Sequence, residues 1–265
     1  MAEKELTFWE HLDELRRVLL KVLGVWMVLA VGYFLAMPYL FDQIILAPCH
    51  DDFIFYEWLK QIGTWLQLEG DFFTQKFEVK LININLAAPF FIHLSTAFWL
   101  SVVTAMPYLF YEVWAFIQPA LYPNERKGVR KALALGTVMF FMGVLLGYFM
   151  VYPLTLRFLS TYQLSDLIEN QISLNSYIDN FMMLVLCMGV AFELPLVTWL
   201  LSLLGIVSRE TLRTYRRHAI VVIVIAAAVI TPTGDPFTLA VVAIPLYFLY
   251  EMSIWMIKKK EDHES

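Results

Sequence analysis

The chain has 265 residues, of which 60% are hydrophobic and 16% charged, and its mean hydropathy is +0.64. Soluble domains contain about 45–50% apolar and about 25% charged residues, so this composition excludes an ordinary soluble protein and indicates a polytopic membrane protein. The net charge of −5 is small for this length, and the placement of the charges along the chain is more informative than their sum.

Residues 1–17 are polar, but they carry a helical pattern. Four large apolar side chains recur every three residues and form one stripe: Leu6, Trp9, Leu12 and Leu15. The pattern predicts a short amphipathic helix that lies on the cytoplasmic surface of the membrane and leads into the first span. Glu14 lies on its polar face.

Beyond residue 17, long apolar runs alternate with polar connections. A helix of about 20 apolar residues crosses a hydrocarbon core of ~30 Å. We therefore predict an all-α polytopic membrane protein, a single domain over residues 1–265, with six transmembrane helices, both termini inside and interfacial amphipathic helices. The predicted spans cover residues 18–41, 87–111, 132–156, 178–204, 216–231 and 236–257.

The first outer loop and the last two spans have unusual lengths. Residues 42–86 form a long outer loop, in which positions 55–66 keep the apolar spacing of a second interfacial helix. The strongly apolar part of the fifth span, residues 219–230, reaches only about 18 Å. We expect short fifth and sixth spans with local thinning of the bilayer, in preference to a re-entrant hairpin.

The lysines and arginines predict the orientation of these spans. With the N-terminus inside, 15 of the 19 basic residues fall in inner segments and 4 in outer segments. Cytoplasmic loops carry the excess of basic residues, so both termini are predicted to be cytoplasmic.

The fourth span contains an acidic residue. Residues 181–204 are apolar nearly throughout, with Glu193 near their middle. A carboxylate at mid-membrane costs roughly 2.5–3.5 kcal/mol, so it usually faces a bundle interior or a wet cavity. Pro195 weakens the backbone ladder beside it. The pattern favours a docking or transport site over the alternative, a protonated glutamate that is needed only for folding.

The sequence has no motif for catalysis. Nucleotide-binding glycine loops, nucleophile elbows and zinc-peptidase motifs are absent, and the five histidines have no metal-ligand spacing. We expect a protein that is not an enzyme, with no cofactor, no metal and no nucleic-acid partner. Transporters, channels, receptors and assembly factors remain.

Two further acids, Glu14 and Glu125, are predicted to lie on the cytoplasmic side against a basic background. Surface acids are usually solvated, which is the simplest interpretation. Arginine, however, pairs with carboxylates through two parallel hydrogen bonds, so two such acids are also compatible with binding a cationic peptide.

Six segments, taken in order on the six-span frame, resemble one family. They are HLDELR (11–16), LAP (46–48), APFF (88–91), YEVWAFIQPALYPNER (111–126), FELP (192–195) and TPTGDPFTLAVVAIPLYFLYE (231–251). Together they resemble the TatC subunit of the twin-arginine protein translocase over nearly the whole chain. Two features depart from the family pattern: Val18 stands where members often have a basic residue, and the first outer loop is long.

This resemblance implies a receptor in the bacterial cytoplasmic (inner) membrane for folded proteins that carry a signal peptide with paired arginines. Export would be driven by the proton-motive force. Glu14 and Glu125 match the acids that hold the arginine pair, and Arg16 belongs to the same surface motif.

The resemblance also implies roles within the membrane and at its outer side. Glu193 matches the acid of an intramembrane cavity where the signal peptide and small single-span TatA/TatB-type subunits dock. Pro48 and Asp235 match positions that shape the outer cap and the last turn. The implied assembly is a homo-oligomer within a hetero-complex, embedded in the lipid bilayer.

Two other functions fit the residues alone. One is a proton-coupled small-solute transporter with Glu193 as the coupling acid, although such folds often contain internal repeats and residues 1–131 do not resemble residues 132–265. The other is a structural scaffold whose polar residues only hold helices together.

Overall fold

The computed structural model describes residues 8–65, 79–118, 123–165, 170–203 and 205–257. Its helices in chain order are α1 (Phe8–Leu40), α2 (Ile54–Trp65), α3 (Ala88–Ile117), α4 (Pro123–Leu146), α5 (Tyr152–Thr161), α6 (Leu174–Ala191), α7 (Leu194–Leu203), α8 (Arg209–Thr214), α9 (Arg216–Ile230) and α10 (Pro236–Met256). Single turns of wider or tighter helix lie at Phe41–Ile45, Ala47–Cys49 and Gly147–Val151. Two short strands, β1 (Leu81–Ile82) and β2 (Ile172–Ser173), pair in parallel.

The protein is an all-α polytopic membrane protein, which confirms the predicted fold class. Five helical segments of the described chain are long and apolar enough to cross a bilayer. Helix α9 has 15 residues and reaches about 22 Å, less than a hydrocarbon core of ~30 Å. It is the short fifth apolar segment that the sequence indicates. The sixth is not short, because α10 has 21 residues and reaches about 32 Å.

Helices α1 and α3 form an antiparallel pair. Trp26 packs edge-on against Phe98 at 4.6 Å, and Phe34 stacks on His93 at 4.1 Å between ring centres. The ring Nε2 of His93 lies 2.7 Å from the carbonyl oxygen of Phe34. That carbonyl lacks its helical donor because the residue four positions later is Pro38, which has no N–H. A side chain of the neighbouring helix therefore supplies the hydrogen-bond partner that Pro38 cannot supply to the Phe34 carbonyl.

Helices α4 and α6 cross closely at glycines. A Cβ atom at Gly143 would lie 2.5 Å from the carbonyl oxygen of Met188, and one at Gly147 would lie 3.0 Å from Val185 Cα. Gly189 of α6 faces Phe140 in the same way. The GxxxG spacing at 143 and 147 thus brings two backbones together, as small residues do in membrane bundles.

An outer cap, defined here as residues 41–65 together with α5 and the start of α6, closes one end of the bundle. The buried Tyr56 donates its hydroxyl to the carbonyl of Pro48 at 2.8 Å. Tyr177 donates to Ile45 at 2.6 Å, and Tyr152 donates to the Tyr177 carbonyl at 3.2 Å. Each hydroxyl ties one segment of the cap to another.

Three boundaries differ from the sequence predictions. The N-terminal segment is not a separate surface helix: α1 runs unbroken from Phe8, because no Gly or Pro interrupts residues 8–23. Residues 1–7, including Leu6 of the apolar stripe, lie outside the described residues. The connection between the predicted second and third spans, residues 112–131, is largely helical, since α3 continues to Ile117 and α4 begins at Pro123, a residue suited to the first position of a helix.

The third difference is in the fourth span. The run 181–204 is not one helix, because α6 ends at Ala191 and α7 begins at Leu194. Pro195 lacks an N–H for the carbonyl of Ala191, and its ring crowds that carbonyl. The break places Glu193 in the two-residue turn between the helices.

Candidate functional sites

The inner end of the bundle, where α1 begins, α3 ends and α4 begins, is the end that the charge count predicts to be cytoplasmic. Because α1 and α3 are antiparallel, the first turns of α1 lie beside the last turns of α3. Only residues 118–122 separate α3 from α4. The fold therefore brings the chain segments that carry Glu14 and Glu125 to the same end.

The predicted signal-binding residues have different surroundings there. Glu14 lies on α1 and is half-buried, whereas Arg16 is exposed. Glu125 lies on the first turn of α4 rather than in a loop, and its side chain falls outside what the structure describes. The structure brings the two acidic segments to one end and gives no distance between their carboxylates.

Beside this end, a buried acid joins α1 to α3. Glu112 is 3% exposed and accepts a hydrogen bond from the Tyr108 hydroxyl at 2.7 Å. The Lys21 ammonium lies 3.3 Å from its Oε2 and 3.4 Å from its Oε1. Glu112 directly follows the predicted second span, residues 87–111, and in the fold it is buried beside α1.

Glu193 is enclosed by α4 and α7. Its Oε2 is so close to Gly136 that a Cβ atom there would lie 3.0 Å away. Both carboxylate oxygens are shielded from solvent and have no hydrogen-bond partner among the described residues. A buried carboxyl without a partner is costly, so this group is a candidate for binding a donor that the chain itself does not supply.

On the outer side, Pro48 and Asp235 have structural contacts. Pro48 is buried in the cap and its carbonyl accepts from Tyr56. Asp235 caps α10: it accepts from the Thr238 N–H at 2.7 Å and from the Thr233 hydroxyl at 2.6 Å. Partial burial opposes ionisation of Asp235, but these hydrogen bonds outweigh it and lower the pKa of the carboxyl.

Comparisons with known proteins agree with one another. The family model "Sec-independent protein translocase protein (TatC)" matches residues 10–245. The TatC protein of Blattabacterium is 34% identical over 96% of this chain and 96% of its own length, and that of Deinococcus radiodurans is 38% identical over 93% and 83%. The chain belongs to the TatC family.

Solved TatC structures extend this likeness to three dimensions. A crystal structure of the twin-arginine translocase receptor TatC is 31% identical, with a TM-score of 0.72 over 93% of this chain and 97% of that one. A second, in DDM, has a TM-score of 0.74 at 30% identity over 94% and 100%. This TatC-family chain is a multi-pass protein of the bacterial inner membrane and a component of a protein translocase.

Sequence reasoning missed three buried or half-buried polar contacts of this family member. They are Lys21 with Glu112, Arg157 over the Tyr56 ring at 5.5 Å, and Arg216 with Glu251 at 2.6 Å. Arg157 is a correction, since the predicted outer loop begins at residue 157 whereas α5 continues to Thr161 and buries this side chain. Tyr108, four residues before Glu112, and Tyr247, four before Glu251, were the available signals.

Proposed function

We propose that this chain is the core receptor subunit of a twin-arginine translocase. It binds the Arg-Arg signal peptides of folded proteins at its inner end and nucleates their export. The observation that carries the proposal is the family match over residues 10–245, which includes both acidic segments that the fold brings to that end. The chain acts by binding and is not an enzyme.

Binding of a cationic signal peptide requires carboxylates that outweigh the repulsion from neighbouring basic residues. Four cations lie close to Glu125 in the sequence: Arg126, Lys127, Arg130 and Lys131. They favour anionic lipid headgroups and would repel an Arg-Arg peptide, so specific attraction has to come from Glu14 and Glu125. Each carboxylate would take one guanidinium with two parallel hydrogen bonds, and exposed Arg16 would border the site.

Within the membrane, we assign Glu193 to docking. Its two oxygens have no partner in the described chain, and an unsatisfied carboxyl in this setting gains from a donor on an incoming helix. A single-span TatA/TatB-type subunit, or the apolar part of the signal peptide, would supply that helix. Exposed apolar residues on α9 and α10, including Val222 and Phe248, would continue the contact.

Energy for export is assigned to the proton-motive force, because the sequence contains no nucleotide-binding motif. We further propose that several copies assemble with the single-span subunits into a hetero-complex. In this scheme Glu193 binds a partner helix. The alternative function for Glu193 is proton-coupled transport of a small solute.

A photocrosslinking experiment tests the receptor function. A photoreactive residue at position 128, which is exposed and whose Cβ would contact nothing within 4 Å, leaves Glu125 in place. The full chain in nanodiscs is irradiated with a signal peptide that carries Arg-Arg or Lys-Lys. Lysine keeps the charge but lacks the planar fork, so we expect a strong crosslink with Arg-Arg and a weak one with Lys-Lys.

The control carries the photoreactive residue at position 39, an exposed site near the outer end of α1. It should yield no crosslink with either peptide. Equal yields for the two peptides at position 128, or no crosslink there, would contradict a receptor based on Glu14 and Glu125.

A further inference from the structure

The contact between Lys21 and Glu112 combines a buried and an exposed partner. The side chain of Glu112 is 5% exposed and that of Lys21 is 59% exposed. Glu112 also holds the Tyr108 hydroxyl on its own helix. A carboxylate that is buried in this way is fixed by its surroundings, and the flexible lysine reaches to it from α1.

The position of this pair relates it to the signal-binding segment. Lys21 follows Glu14 by seven residues, which is about two helical turns or ~10 Å, so both residues lie on the same face of α1. Glu14 therefore lies on the side of α1 that packs against α3 further along, in agreement with its half-buried state. Glu112 lies five residues before the end of α3 at Ile117. The pair thus joins α1 to α3 two turns from Glu14, just before the chain turns towards Glu125.

The hydrogen bond between His93 and the Phe34 carbonyl also joins the two helices, but it lies 13 residues further along α1. The aromatic contact that lies nearer to Lys21 is less directional. Trp26 against Phe98 is an apolar contact, and apolar surfaces tolerate small sliding because their attraction depends mainly on area. The Lys21 ammonium lies 3.3 and 3.4 Å from the two Glu112 oxygens, and the attraction between opposite charges falls as their distance grows. The Lys21–Glu112 contact is therefore suited to hold α1 at one height along α3, close to the site.

We propose that Lys21 and Glu112 position Glu14 relative to Glu125, and that this positioning sets the preference of the receptor for arginine over lysine. The inference rests on the function proposed above and adds two positioning residues to it. Bidentate binding of two guanidinium groups requires a defined spacing between the two carboxylates, whereas two ammonium groups act as point charges and tolerate a looser one.

The test measures binding of labelled Arg-Arg and Lys-Lys signal peptides to the full chain in nanodiscs by fluorescence anisotropy. The decisive variant is Lys21→Met with Glu112→Met, which removes the pair without leaving a lone buried charge. We expect its affinity for the Arg-Arg peptide to fall about tenfold and its affinity for the Lys-Lys peptide to change less than about twofold. The ratio of the two affinities is a readout that a loss of stability alone would not move.

Two further variants serve as matched controls. Arg216→Met with Glu251→Met removes another ion pair, which joins α9 to α10 and not α1 to α3; it should keep the wild-type ratio. Glu112→Gln keeps a side-chain oxygen for Lys21 and Tyr108, and it should also retain most of the preference for arginine.

The outcomes separate the two proposals. If Glu14→Ala and Glu125→Ala lose the Arg-Arg peptide but the double methionine variant keeps the wild-type ratio, the positioning role is wrong and the receptor stands. If neither alanine variant loses the peptide, the receptor proposal itself fails. Should the double variant not fold, Lys21→Ala replaces it, since it keeps the bond between Tyr108 and Glu112; an unchanged ratio there overturns the positioning role equally.

Discussion

At the outer cap, three buried tyrosines each donate a hydroxyl to a backbone carbonyl, whereas at the inner end Glu14 is half-exposed and Arg16 is exposed. The cap ties residues 41–56 to α5 and α6 through directional bonds in a low-dielectric interior. The inner end keeps charged groups within reach of a ligand. The outer end is therefore held by buried directional bonds, whereas the inner end exposes the charged groups to which the proposed function assigns recognition.

The cap also contains a buried thiol, Cys49. Burial raises the pKa of the Cys49 thiol to about 11, although a hydrogen bond with Tyr177 opposes the shift. The thiol is therefore protonated at neutral pH and unreactive. Both Cys49 and Cys187 are free thiols.

The largest effect that separates the two ends is expected from deleting a tyrosine. Tyr177→Ala removes a buried ring and the bond to Ile45, and it should destabilise the protein by about 3–5 kcal/mol. Tyr111→Ala, at a site 62% exposed near the inner end, should change stability by less than about 0.5 kcal/mol. Thermal unfolding in one detergent measures both; equal losses would refute the contrast in rigidity.

The second prediction concerns recognition. Glu14→Ala should weaken binding of an Arg-Arg peptide by about tenfold or more, because a hydrogen bond to a charged group contributes about 1.5–3 kcal/mol. Its unfolding temperature should stay near that of the wild type. Asp13→Ala removes the neighbouring exposed acid and is the charge-matched control. If both variants lose the same affinity, the site attracts by net charge and not through Glu14.

The helices were predictable, whereas the polar partners were not. Apolar runs and their flanking charges predicted the spans because burial in lipid imposes length and composition on each segment separately. The contact of Lys21 with Glu112 joins positions 91 residues apart, so it depends on how α1 packs against α3. Local pattern contains no information on that packing.

The candidate sites illustrate the same limit. Glu193 was identifiable because a lone acid in an apolar run is rare. Pro195 indicated that a backbone hydrogen bond of the helix is missing nearby. The close approach of α4 to Glu193 at Gly136 was not identifiable, because it depends on how α4 packs against the segment after α6. Glu14 and Glu125 stood out as acids on the predicted cytoplasmic side, and only the family resemblance gave them a specific role.

A third prediction uses pH to examine the outer side. The pKa of Asp235 in the folded protein is below its unfolded value of about 3.9. Its ionised form therefore adds stability above about pH 4, and this contribution is lost as the pH falls through the lowered pKa. Asp235→Ala should cost about 1 kcal/mol at pH 7 through loss of the cap.

The difference between wild type and Asp235→Ala should shrink as the pH is lowered from 7 to 3, when thermal unfolding is followed across that range. Asp235→Asn keeps an oxygen that accepts from Thr238 but cannot ionise, so it should show little of this pH dependence. A gap between wild type and Asp235→Ala that stays constant with pH would mean that the charge of Asp235 adds nothing to the cap.

The smallest change in stability is expected at Glu193. Its oxygens have no partner in the described chain, so Glu193→Gln removes no internal hydrogen bond or ion pair that the structure describes, and the unfolding temperature should move by less than the equivalent of about 0.5 kcal/mol. Co-purification of a single-span TatA/TatB-type subunit should nevertheless fall sharply if Glu193 docks a partner helix. Destabilisation with partner binding retained would instead identify a scaffold residue.

The transport alternative is tested with proteoliposomes that contain only this chain. If they take up a solute and Glu193→Gln abolishes the uptake, Glu193 is a coupling acid, because a residue that only docks partners would not support uptake without them.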